Sequence, residues 1–132
     1  MHKGSCLCGA VGYEIDAEIK GITHCHCSMC RKAHGAAFGS YGTVPRSGFR
    51  FIHGEDAVAT YHSSSSVTRT FCKHCGSTLQ WYSDAAHPEW MSIALGTLDT
   101  SLEQLKQKHI FAGSKASWYH INDGLPQSAS GS

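Results

Sequence analysis

The amino-acid sequence predicts a mainly β domain with little helix, and three observations carry that prediction. Apolar residues alternate with polar ones over short stretches. Gly, Pro, Ser and Asp interrupt those stretches at intervals too short for most helices. Seven cysteines also fall in tight clusters suited to metal, which would supplement the modest core of a 132-residue chain. Neither an internal repeat nor a linker divides the sequence, which gives one domain over 1–127 and a frayed tail over 128–132.

Taken in order, Val11, Tyr13 and Ile15 alternate with Gly12 and Glu14, the period of a half-buried strand. The stretch Ile19 to His24 is expected to return alongside it. A short turn of helix follows Cys27 and runs through Lys32. Ala36 to Val44, Phe49 to His53 and Val58 to Tyr61 are further strands, and Ser63 to Ser66 is a polar loop. Val67 to Phe71 and Ser77 to Trp81 form the two arms of a hairpin, and Trp90 to Leu95 is another strand. Ser101 to Lys108 is expected to be helical, because Leu102 and Leu105 stand at i, i+3 behind Thr100 or Ser101 as N-cap. Phe38, Tyr41 and Trp118 read as core aromatics more readily than as walls of a pocket.

Eleven Lys and Arg against ten Asp and Glu leave a formal charge of +1, so no basic face for nucleic acid is expected. No apolar run reaches the roughly 18 residues of a membrane span. The start, Met1 to Cys6, lacks the apolar core of a signal peptide, so the expected compartment is the reducing cytoplasm. There, an odd number of clustered cysteines favours metal over disulfides.

The clusters are Cys6-Leu7-Cys8, Cys25-His26-Cys27-Ser28-Met29-Cys30 and Cys72-Lys73-His74-Cys75. Seven divides naturally into four plus three. The first and last each offer two thiolates followed at once by Gly9 or Gly76, where a tight turn lets a hairpin tip wrap an ion. The middle cluster offers three thiolates and is followed by Arg31 and Lys32. Three ligands leave a fourth position for water or a substrate thiol. Spacing alone leaves open a partition of Cys27 and Cys30 with Cys72 and Cys75, and a fourth ligand from His24, His26, His34 or His74. A redox dithiol at Cys27/Cys30 or Cys72/Cys75 ranks lower, since no βαβ pattern surrounds either pair.

The stretches Gly4-Ser5-Cys6-Leu7-Cys8-Gly9-Ala10-Val11, Cys25 to Lys32 and Phe71-Cys72-Lys73-His74-Cys75-Gly76-Ser77 together resemble the glutathione-dependent formaldehyde-activating enzyme family, which includes the related domain of centromere protein V. Gly35 to Phe38, Gly96 to Asp99, His109 to Phe111, Lys115-Ala116, Trp118 and Asp123 to Pro126 extend the likeness in the family's order. The resemblance implies a β-tent of small antiparallel sheets pinned by zinc. It implies a structural zinc on Cys6, Cys8, Cys72 and Cys75 and a second, active-site zinc on Cys25, Cys27 and Cys30. It further implies a carbon–sulfur lyase that joins formaldehyde to glutathione, with a small thiol or thiol adduct as partner.

On that reading a thiol bound at the open position is deprotonated at neutral pH and attacks an aldehyde carbon, or leaves from it. Arg31 and Lys32 are candidates to attract the carboxylates of a glutathione-like ligand. His24 and His26 are candidates for proton transfer. Three thiolates make the site net negative, so water activation and hydrolysis rank below thiol handling. The competing class is a zinc-stabilised interaction module in which His24, His26 or His34 closes the shell.

Overall fold

The computed structural model describes residues 1–103 and 106–131. The chain is mainly β. Its strands are β1 (His2–Ser5), β2 (Gly12–Ile15), β3 (Ile22–Cys25), β4 (Gly39–Pro45), β5 (Phe49–His53), β6 (Val58–His62), β7 (Val67–Cys72), β8 (Thr78–Ser83), β9 (Trp90–Ala94) and β10 (Gln107–Ile110), with a single α-helix, α1 (Ser28–His34), among the described residues. The strands form a three-stranded sheet ordered β1-β2-β5 and a seven-stranded sheet ordered β10-β3-β4-β9-β8-β7-β6. Every pairing is antiparallel except that of β10 with β3.

Both sheets contribute to one apolar layer. Tyr13 and Ile15 of β2 meet Val44 of β4 and Met91 and Ile93 of β9, with Ile19 between them. A second group gathers Cys6, Val11, Ala57, Cys72 and Leu79, and a third gathers Cys25, Cys30 and Tyr41. Cysteines therefore sit inside two of the packed regions, so what holds the sulfurs also bears on the packing. No helix of the described residues is long and apolar enough to cross a membrane.

The structure departs from the sequence expectations in four places. β2 is buried along its whole length and not on one face alone. It is the central strand between β1 and β5, and its inward Glu14 is compensated by an ion pair with Arg50, its register partner on β5. The stretch after Ile19 does not return beside β2, whose two edges are already taken. It crosses into the larger sheet as β3 and pairs with β4 and β10. The helix expected over 101–108 does not form in its described part. Ser101 to Glu103 are irregular, Gln107 and Lys108 open β10, and Gln104 and Leu105 lie outside the described residues. One leucine pair offers too little to offset helix nucleation, whereas the open edge of β3 offers a ladder of hydrogen bonds.

The tail expected to fray over 128–132 is tied back in its described part. Ser128 N–H donates to the His109 carbonyl at 2.9 Å, and Phe111 N–H donates to the Ser130 carbonyl at 2.8 Å. The strands expected elsewhere form within a residue or three of their expected ends, and the turn of helix after Cys27 is α1.

Candidate functional site

Two hairpin tips bring four sulfurs together. The β1–β2 turn presents Cys6 and Cys8, and the β7–β8 turn presents Cys72 and Cys75. Each turn closes through a glycine with positive φ, +80° at Gly9 and +79° at Gly76, whose N–H groups donate back to the carbonyls of Cys6 and Cys72. A side chain is strained in that conformation. Leu7 N–H donates to Ser77 Oγ at 2.9 Å and locks one tip to the other.

The four Sγ atoms lie within 4.8 Å of one another. Cys6 to Cys8 is 3.6 Å and Cys8 to Cys72 is 3.8 Å. A tetrahedron with metal–sulfur arms of about 2.3 Å has edges of about 3.8 Å, so the set fits a zinc-sized ion. Backbone support is present as well, since Val11 N–H donates to Cys6 Sγ at 3.3 Å.

The second group is Cys25 at the end of β3, Cys27 at the N-cap of α1 and Cys30 within α1, again with all sulfurs within 4.8 Å. Cys27 Sγ accepts from Cys30 N–H at 3.3 Å, which starts the helix and turns the cluster toward one point. Cys30 is the most elaborately supported sulfur. Tyr41 Oη–H and Arg69 Nη2 both donate to it at 3.7 Å, while Arg69 Nη1 donates to Tyr41 Oη at 3.3 Å. His34 Nε2 lies 2.7 Å from the same phenol oxygen. The phenol has one proton, and giving it to sulfur requires His34 to carry its proton on Nε2 and donate as well.

Electrostatics follow from that geometry. The hydrogen bond from Cys25 pushes the Cys30 thiol down to about 5 against the opposing effect of burial, with Arg69, Cys27 and Tyr41 adding to it. Burial and the neighbouring Cys30 charge push the Tyr41 phenol above its usual range, so it remains a donor at neutral pH. The trio opens on a cavity of about 410 Å³ whose walls include Met29, Tyr41, Arg69, Trp81, Ile110 and Phe111.

The sequence candidates divide sharply. All seven cysteines assemble as four plus three, with no histidine among the grouped ligands. His24 has both ring nitrogens engaged, with Ser40 Oγ at 2.8 Å and Gln107 Oε1 at 2.9 Å. His26 is fully buried and bonds through Nε2 to His109 Nδ1 at 2.7 Å. Neither histidine lines the cavity, and neither do Arg31, whose Nε donates to the His26 carbonyl at 3.2 Å, or Lys32. Of the aromatics, Tyr41 lines the cavity, Phe38 packs on His24, His26 and His109, and Trp118 is exposed.

Arg69 escaped the sequence reading. Its signal was an arginine in the same strand phase as Val67 and Phe71, where an apolar residue is expected. The partner of His26 escaped too. Asp123 Oδ2 accepts from His109 Nε2 at 2.8 Å, and His109 Nδ1 shares a hydrogen bond with His26 Nε2 on the other side of the ring. That chain fixes the His26 ring between Cys25 and Cys27.

The hydrogen bond from His109 holds the Asp123 carboxyl below its ordinary value. Because the folded value is the lower one, this contribution is present at neutral pH and lost as pH falls through the carboxylate range. Asp123→Asn is expected to flatten the acid limb of the melting-temperature profile, measured from neutral pH downward.

Comparison with known proteins agrees with the geometry. The chain is 27% identical over 128 residues to a Halomonas elongata protein provisionally named a glutathione-dependent formaldehyde-activating enzyme, covering 92% of this chain and 81% of that one. It is 30% identical over 95 residues to an uncharacterised lyase of Schizosaccharomyces pombe, covering 71% of this chain and 67% of that one. A crystal structure of a Rhodobacter sphaeroides protein superposes with a TM-score of 0.64 at 25% identity, over 76% of this chain and 91% of that one. The sequence profile described as glutathione-dependent formaldehyde-activating enzyme matches residues 1–114, a span that holds all seven cysteines. On that match the chain belongs to the glutathione-dependent formaldehyde-activating enzyme family.

Proposed function

We propose that the chain is a zinc-dependent, carbon–sulfur lyase-like enzyme that makes and breaks the adduct of a thiol, such as glutathione, with an aldehyde. The observation that carries this reading is the trio of Cys25, Cys27 and Cys30 beneath a cavity, with no histidine in the ligand group. Cys6, Cys8, Cys72 and Cys75 would hold a structural zinc and the trio a second one. A zinc ion bound there would supply the charge that keeps an incoming thiol in its thiolate form at neutral pH.

The protein's own groups supply the surroundings. Arg69 places a buried positive charge against the trio, which offsets the net negative charge of three thiolates on a divalent ion. Tyr41 and His34 hold that guanidinium and Cys30 in fixed relation. Apolar walls at Met29, Trp81 and Ile110 limit water around the adduct. In the condensing direction the thiol sulfur attacks the aldehyde carbon and the carbonyl oxygen takes a proton. In the cleaving direction the hydroxyl loses that proton as the carbon–sulfur bond breaks. Water at the cavity mouth exchanges the proton. The reading places the chain in the reducing cytoplasm, where its unpaired thiols persist.

The test is a zinc count on the purified protein, X-ray absorption with and without glutathione, and NMR exchange between free and glutathione-bound formaldehyde. The expected result is two zinc ions, one per cysteine group, a sulfur added at the second ion with glutathione, and accelerated exchange. One zinc and no response to glutathione would favour the interaction module. So would a second shell closed by a histidine nitrogen.

A further inference from the structure

We propose that the cavity selects adducts whose carbon side is an apolar, ring-sized group seated against Phe111, Met29 and Trp81. This rests on the lyase reading and adds the substrate class. Among the described lining residues Arg69 is the one cation, and none is acidic. Each of its three nitrogens already donates inside the protein, to Ser63 Oγ, Tyr41 Oη and Cys30 Sγ. Two of its five N–H groups remain, on Nη1 and Nη2, beside the hydroxyls of Thr23, Ser64 and Ser92, and these replace only part of the water that an ionic group drawn deep into this space would lose. The charged ends of a glutathione-like thiol therefore stay at the mouth, and the enclosed part is uncharged. A one-carbon group would leave most of about 410 Å³ to water.

The mouth itself is built for an apolar contact. Met29 is 53% exposed and Phe111 37% exposed, two large apolar side chains beside the cavity they line. Phe111 is also the one non-glycine residue with positive φ, +52°, among the described residues. An aromatic residue has no intrinsic preference for that conformation. The surroundings impose it: Phe111 N–H donates to the Ser130 carbonyl at 2.8 Å, and its own carbonyl accepts from Ser114 N–H at 2.9 Å. Gly131 leaves room for the ring, since a Cβ there would stand 2.9 Å from Phe111 Cζ. The returning C-terminal stretch thus holds an aromatic ring at the opening in a strained backbone, and binding accounts for what folding alone does not favour.

The experiment is calorimetric titration of the zinc-loaded protein with S-benzylglutathione and S-methylglutathione, thioethers that keep the carbon–sulfur bond and do not decompose. The benzyl compound is expected to bind at least about tenfold tighter, the gain from burying a ring-sized apolar group. Phe111→Asn removes the ring while supplying a residue that tolerates positive φ, so the variant should melt no lower than the parent. It is expected to cut the preference, read as the ratio of the two affinities on the same variant, to within about threefold. Met29→Ala, at the other exposed apolar side chain that lines the cavity, is expected to lower the preference in the same direction. Equal or weaker binding of the benzyl compound, no binding of either, or a preference untouched by both substitutions would overturn the proposal. Formaldehyde exchange without any benzyl preference would leave the lyase reading standing and sink this one. A benzyl preference in a protein that exchanges neither formaldehyde nor benzaldehyde with glutathione would sink the lyase reading, and the substrate class with it.

Discussion

Cys75→Ser is expected to yield a chain that does not hold its fold, whereas Cys27→Ser keeps the fold and loses the metal proposed for the trio. The four-sulfur site joins a hairpin of the small sheet to a hairpin of the large one, so a metal there ties the two sheets together. Metal binding by a structural zinc site contributes apparent free energies of about 10–16 kcal/mol in small domains. That is comparable with the whole stability of about 5–15 kcal/mol typical of a domain. Cys75 is a fair probe because it is only partly buried, so a serine hydroxyl there adds little burial cost of its own. At Cys27 the balance differs. Its sulfur caps α1, and serine is among the preferred N-cap residues, so the helix start survives the exchange. Circular dichroism, thermal unfolding and zinc content of both variants decide the matter. Soluble, normally melting Cys75→Ser protein would refute the structural assignment, and equal collapse of both variants would refute the division of roles.

How much of this was legible depended on whether the information was local. The three cysteine clusters and their turn glycines were, because they are features of adjacent residues at Cys6–Gly9 and Cys72–Gly76, whereas spacing alone left open which clusters come together. Strands β4 to β9 were legible for the same reason, each bounded by its own turn residues. Strand partners were not. Whether β3 lies beside β2 or β4 depends on which edges are free once every other strand has paired. β10 carries a weak local pattern and exists because β3 presents an edge to it. The His26–His109–Asp123 chain joins residues 83 and 14 positions apart, a separation at which sequence offers no pairing signal. Arg31 and Lys32 drew attention through adjacency to a ligand, yet the cation that reaches the trio arrives from β7, 39 positions beyond Cys30.

That cation carries the second large effect. Arg69→Met is expected to lower the affinity of the trio for the metal proposed there by about 10- to 100-fold, the usual consequence of losing a group that supports a ligand. Arg69→Lys should recover part of it. Methionine keeps the apolar stem and similar length, so the lost quantity is the charge and the fork of donors. Three groups depend on that fork: the Cys30 sulfur, the Tyr41 phenol and the Ser63 hydroxyl. Lysine restores the charge but cannot reach all three at once, because its ammonium is a point donor and the guanidinium a planar one. The measurement is zinc release from the second site by competition with a chromogenic chelator, run beside thermal unfolding. A structural role alone would lower the melting temperature and leave chelator competition at the parent level once the protein is folded. A charge-supporting role moves the competition curve in the order parent, Lys, Met. Buried 7% exposed on a strand whose neighbours are threonines, this arginine has no other evident reason to be inside. If Arg69→Met held zinc as tightly as the parent, the compensation argument at the trio would fail.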